Sequence, residues 1–270
     1  LINGIHPPFL QKVQTSDVMF APLKFSTPFC KSCYQNKVVF TERCCLFFQK
    51  SSRNNGIIEK IKKMDDSIDL LKKAPSVFWT IGLVQFFCWA AFLFMWSYTN
   101  NAIAAQCFGW IEDAGTKSAA YQAAGNWVGV CFAAQAVGSM IWASLIPLFK
   151  KLFGMKGVYA ISIAVGAIGF VAAAFIQNQY IILIAFALIG AAWAAMLALP
   201  FTILTNALTG GHMGTYLGLF NGTICLPQIA AAACGGLVLK MVGGAQVSMF
   251  LVAGVLLVLG AAAVRFVKTK

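Results

Sequence analysis

Six apolar runs of about twenty residues divide the chain, at roughly 76–99, 125–149, 157–177, 179–205, 214–238 and 245–266. About 20 apolar residues are what a helix needs to cross about 30 Å of hydrocarbon. Without water, backbone N–H and C=O groups are satisfied only inside a helix or a closed barrel. The runs therefore predict an all-α membrane protein with six transmembrane helices. Of 270 residues, 60% are hydrophobic and 10% charged, and the mean hydropathy of +0.78 exceeds what a soluble core requires.

Charge placement narrows the function. All eight acidic residues lie between Asp17 and Asp113, so residues 114–270 hold none. Paired-carboxylate catalysis has no place in that segment, and no catalytic residue is assigned. The net charge of +12 is scattered at the ends of apolar runs and does not form one patch with interleaved aromatics, so nucleic acid is not an expected partner. Lys60, Lys62, Lys63, Lys72 and Lys73 precede the first run, Lys150, Lys151 and Lys156 fill the second connection, and Arg265, Lys268 and Lys270 follow the last. The opposite side carries only Lys117 and Lys240. The positive-inside rule then places both ends of the bundle in the cytoplasm and the protein, multi-pass, in a plasma or bacterial inner membrane. The connection 100–124 faces outward, and Gln177, Asn178 and Gln179 form a tight outer turn.

Three segments are expected. Residues 1–56 are irregular, without helical or strand periodicity, and read as non-native or disordered sequence; Cys30, Cys33, Cys44 and Cys45 lack paired CxxC spacing, so no metal site is assigned. Residues 57–74 form an amphipathic cytoplasmic linker helix, with Ile57, Ile61, Met64, Ile68 and Leu71 at helical spacing. It rests on the membrane or the bundle, or else is a solvated linker. Residues 75–267 are the six-helix bundle.

Polar side chains sort the runs into two kinds. The third and sixth are nearly bare and read as lipid-facing, whereas the other four hold the intramembrane amides and indoles. In the first, Gln85, Trp89, Phe92 and Trp96 share one helical face; in the second, Gln135, Ser139 and Trp142 repeat the spacing; in the fifth, Asn221 and Gln228 are nearly aligned. A polar group in hydrocarbon needs a partner, so these faces are expected to converge on one another or on a cavity. Amides with flat aromatics suit a sugar, since amides donate and accept while indole faces cover the apolar side of a pyranose. Gln85, Trp89, Gln135, Trp193, Asn221 and Gln228 are the substrate-binding candidates, Trp193 for its mid-span position on the fourth run. The same amides also serve as glue between helices, and both readings stay open at this point. The order polar, polar, bare, polar, polar, bare is a three-helix unit run twice.

Gly214, Gly218 and Gly222 form a doubled GxxxG for close helix packing, and Pro200 and Pro227 interrupt two spans as hinges. An ATP-driven exporter domain would also have six helices, but no GxxxxGK[ST] occurs in the chain. The histidines are His6 and His212, with no acid near the second, so an enzyme is not expected.

"LPFTILTNAL" followed by "MGTYLGLFNGTICLPQI" resembles the tenth and eleventh helices of sugar:cation symporters of the major facilitator superfamily, the sucrose- and maltose-type group related to glycoside–pentoside–hexuronide symporters. The matching positions are Leu199, Pro200 and Phe201, then Leu217 to Asn221, then Pro227 and Gln228. Residues 83–104 are similar to the seventh helix, and 147–157 to the basic loop between the eighth and ninth. The resemblance, covering about 60–267, implies a twelve-helix fold in two halves with the sugar bound between them. The six spans correspond to the C-terminal half. Partners are then a mono- or disaccharide, the lipid bilayer and an N-terminal half missing from this chain; no cofactor is implied beyond a coupling proton or sodium ion. An inactive transporter fragment or a membrane scaffold is the alternative.

Overall fold

The computed structural model describes residues 69–208 and 213–267. The expected irregular segment 1–56, most of the amphipathic stretch 57–74, and His212 lie outside the described residues. Of that stretch, residues 69–72 are helical, Leu71 packs against the core, and exposed Lys72 reaches Asp69 at 3.6 Å.

Among the described residues the chain is helical throughout, without a strand: α1 (Ser76–Phe108), α2 (Ala119–Phe175), α3 (Ile182–Ala207), α4 (Met213–Phe220), α5 (Gly222–Met241) and α6 (Ser248–Ala263), plus 3-10 turns at Glu112–Ala114 and Val264–Phe266. Five helices are long and apolar enough to cross a membrane, with Met213–Met241 counted as one across the break at Asn221. This is the architecture of an integral membrane protein, whose outer face carries Ile168, Phe175, Ile184, Leu226, Ile229 and Val255 in the open.

α1 runs nine residues beyond the expected end at 99, because nothing breaks it before Gly109. There the chain turns left-handed (φ 65°) and the Trp110 N–H closes the helix on the Ala104 carbonyl at 2.9 Å. The outward connection is therefore shorter than 100–124. Asn101 and Gln106 sit inside the helix because each has a partner. Asn101 accepts from the Tyr121 hydroxyl at 2.9 Å. Gln106 Nε2 lies 2.6 Å from the Ile176 carbonyl, capping the far end of α2.

Although continuous by its bonding, α2 is a hairpin. Gly154 leaves the helical region (φ 72°, ψ 175°) and separates arms 119–153 and 155–175. Trp142 Nε1 donates to Ser162 Oγ at 2.8 Å, although a straight helix would hold residues that far apart in sequence about 30 Å from each other. The expected tight turn at 177–179 is present as an Asx cap: Asn178 Oδ1 accepts the N–H groups of Tyr180 and Ile181 at 2.8 and 3.2 Å.

The two arms of α2 close on α3 along small residues. A methyl group at Gly138 would strike the Ala187 backbone, one at Gly190 the Gln135 carbonyl, and one at Gly166 the Ala192 side chain. At Gly169 it would stand 2.7 Å from the Ala185 carbonyl. Such contacts let helix backbones approach and gain dispersion energy where lipid offers no hydrophobic drive.

Two expectations are corrected here. The close-packing glycines were expected at Gly214, Gly218 and Gly222, yet a methyl group at any of these meets nothing within 4 Å. The third and sixth runs are not simply lipid-facing. Each buries one face, with Tyr159, Ile163 and Phe170 on the second arm of α2 and Phe250, Ala253 and Leu257 on α6. The most exposed span is Met213–Met241, with 22% of its most apolar window buried against 61% for α1. It rests mainly on α1, through Thr223 against Gly82 and Gly235 against Tyr98.

Candidate functional site

Pro200 sits inside α3 and has no N–H, so the Met196 carbonyl one turn earlier loses its helical donor. Gln85 of α1 fills that gap: its Nε2 donates to the Met196 carbonyl at 3.1 Å, with the side chain fully buried. The second half of the same amide, Oε1, is buried without a partner. Gln85 is thus glue on one side and an unused acceptor on the other.

One turn along α1, Trp89, Phe92 and Trp96 continue the face, and Trp193 of α3 enters among them. Its ring lies 5.8 Å from Trp89, 5.1 Å from Phe92 and 5.5 Å from Trp96. Trp89 and Trp96 are 6.3 Å apart. The rings meet edge-on or tilted, the arrangement their quadrupoles favour, and the Trp89 Nε1–H is buried with no acceptor.

Gln135, buried on the first arm of α2, approaches α3 from its other flank. Its backbone carbonyl lies 2.9 Å from the Ser139 hydroxyl, which is equally close to the Gly190 carbonyl. Gln135 Oε1 is likewise buried and unpartnered. Residues 190, 193 and 196 step about 60° each on the helical wheel, so 190 and 196 stand about 120° apart, and α3 meets the Gln135 backbone, the indole cluster and Gln85 in turn along its length. Three of the six candidate residues therefore border α3, and a fourth, Trp193, lies on it.

Asn221 and Gln228 stand elsewhere. Asn221 occupies the break between α4 and α5, its N–H bonded to Leu217 and Gly218 carbonyls and its Oδ1 buried without a partner. Gln228 is half-buried on α5, one residue after the buried Pro227. α5 rests mainly on α1, and Phe220, next to Asn221, packs its ring 5.5 Å from Phe201 of α3; neither amide is bonded to the residues of the indole cluster.

The structure also reveals polar residues on the run that had seemed bare. Tyr159 is fully buried with its hydroxyl unpartnered, and Ser162 takes the Trp142 indole proton while its own hydroxyl lies 2.6 Å from the Val158 carbonyl. Both were visible in the sequence as a Tyr and a Ser three residues apart among aliphatics. Phe92 and Trp96 were on the recognised face, and their meeting with Trp193 required the α1–α3 register. Among the described residues no three His, Cys, Asp or Glu side chains stand together as a ligand set.

No protein-family model matches the chain, and no curated protein matches it.

Proposed function

We propose that the chain is one half of a sugar carrier, passing a mono- or disaccharide across a plasma or bacterial inner membrane. On this reading its six crossings are α1, the two arms of α2, α3, α4–α5 and α6, with the ends of the bundle and the Gly154 turn cytoplasmic. They pair with a second six-helix half, as in the symporters that parts of the sequence resemble, and a proton or sodium ion drives uptake. The observation that carries the reading is Gln85 Oε1 and Trp89 Nε1, an acceptor and a donor left buried and unpartnered one turn apart on α1, with Trp89 packed against Trp96 and Trp193; Gln135 Oε1 on α2 is a second buried, unpartnered acceptor. Orphaned polar groups in a protein interior are costly, and sugar hydroxyls satisfy both kinds while indole faces take the apolar side of the ring. Gln85 Nε2 contributes differently, tying α1 to the Pro200 break in α3, so that substrate at Oε1 is felt at a weak point of a spanning helix.

The test is thermal protection of the full chain in lipid nanodiscs, alone and with a complementary six-helix half, by a panel of mono- and disaccharides. Protection by at least one sugar, reduced in Gln135→Ala, is the expected result. Absence of protection by every sugar in both forms leaves the inactive-scaffold reading in its place.

A further inference from the structure

An apolar groove of roughly 460 Å³ runs along the outside of the bundle between the second arm of α2 and α6, lined by Ala164, Ala167, Ile168, Val171, Val258 and Ala261 among others. Its floor is small side chains, with Ala167 buried, and its rims are Ile168 and Val258, which are 62% and 55% exposed. From Ala164 to Ala172 the helix rises about 12 Å, close to the depth of one bilayer leaflet, about 15 Å. A missing methyl at Gly254 faces Val171 and the Ala167 carbonyl, while Ala261, seven residues on, lines the groove with Ala164. The two walls are thus antiparallel. The end of α6 therefore lies toward the beginning of the α2 arm.

That end is basic. Arg265 lies in the 3-10 turn Val264–Phe266 that follows α6, four residues beyond the groove-lining Ala261 and at that end of the wall. Arg265 is exposed, and its Nε donates to the Ala262 carbonyl at 3.1 Å, which steadies the guanidinium; the two terminal NH2 groups of a guanidinium can hold an anion as a fork. Half-buried Lys156 begins the opposite wall. No acidic side chain follows Asp113 in the sequence, and the one ion pair among the described residues joins Lys72 to Asp69.

We propose that this groove is a lipid site: one acyl chain of an anionic phospholipid lies along Ala164–Val171 and Val258–Ala261, and its phosphate pairs with Arg265, with Lys156 close by. An acyl chain matches a groove of this volume whose lining is apolar over nearly a leaflet's depth. The phosphate matches an unopposed basic end. The inference rests on the membrane placement of the bundle and not on the sugar-carrier reading, so either can fail without the other.

Native mass spectrometry of the full chain, released from detergent with dioleoylphosphatidylglycerol or dioleoylphosphatidylcholine, tests it. The anionic phosphatidylglycerol should be retained about fivefold more, the worth of one basic residue against an anionic headgroup. Arg265→Gln should bring the two lipids level, and Ala164→Leu, a change at an exposed position, should reduce retention of both while the circular dichroism spectrum stays helical. Inorganic phosphate at matched ionic strength should displace neither. Equal retention of the two lipids by the native chain, an unchanged preference in Arg265→Gln, or displacement by phosphate alone would overturn the proposal.

Discussion

Gln85 shows how one residue carries two roles that sequence could not separate. Its place among indoles suggested a ligand, and its place in a membrane span suggested glue; the structure gives Nε2 to the carbonyl that Pro200 leaves open and leaves Oε1 over. Because Pro200 creates the need, the two should be coupled. Gln85→Leu is expected to cost about 1–2 kcal/mol by leaving a buried carbonyl without a donor. In a Pro200→Ala background, where residue 200 supplies its own N–H, the same change should cost about 1 kcal/mol less. Thermal unfolding of the four proteins of this cycle in one detergent measures the difference. Trp193→Ala, which opens the indole cluster, should weaken sugar binding about tenfold, in the range of one aromatic contact. Trp193 was legible as a polar-tipped residue at mid-span, but its company with Trp89 and Trp96 depends on how α1 and α3 are registered, and a single helical wheel contains no register.

At the scale of elements, apolar length foretold the helices well and their interfaces poorly. The doubled GxxxG at Gly214, Gly218 and Gly222 is a strong local pattern, yet it faces open space, whereas the tight seam uses Gly138, Gly166, Gly169 and Gly190. Spacing within one helix says which residues share a side and not what stands opposite. Gly190→Leu should therefore destabilise the protein by at least about 1–3 kcal/mol through overpacking against Gln135 and Ser139, while Gly218→Ala should be neutral or slightly favourable; melting temperatures of the two variants decide this. Gly154 is required for a different reason. With nothing within 4 Å of an added methyl, Gly154→Ala meets no clash but forces a side-chain-bearing residue into a positive-φ, extended-ψ backbone (φ 72°, ψ 175°) that is essentially glycine's alone, at about 1–3 kcal/mol. The bonding pattern across this turn hides a helix pair that charge had already marked, since Lys150, Lys151 and Lys156 flank it.

For the whole molecule, the bundle is organised around α3, held in the grip of both arms of α2 and touched by α1, while α5 rests mainly on α1 and α4 sets Phe220 against Phe78 of α1 and Phe201 of α3. That asymmetry was not readable from polarity: the run with two amides, Asn221 and Gln228, is the least covered, and the bare sixth run is wedged against α1 and α2. A span that keeps buried polar edges yet little cover fits a surface that a second half completes, as the carrier reading requires. The six crossings of the carrier reading also predict sidedness. Single cysteines placed at Lys151 and Phe266 should label from the cytoplasmic side, and one at Asn178 from the opposite side, in a chain whose native cysteines are replaced. The measurement that bears most directly on the account is tryptophan fluorescence of the nanodisc-embedded chain, with its complementary half, titrated with the sugar panel. A saturable change with one mono- or disaccharide, abolished when Trp89 and Trp193 are both changed to Phe, is the predicted result. A flat signal for every sugar, or a saturable change that survives the loss of both indoles, would contradict a sugar site built on α1 and α3.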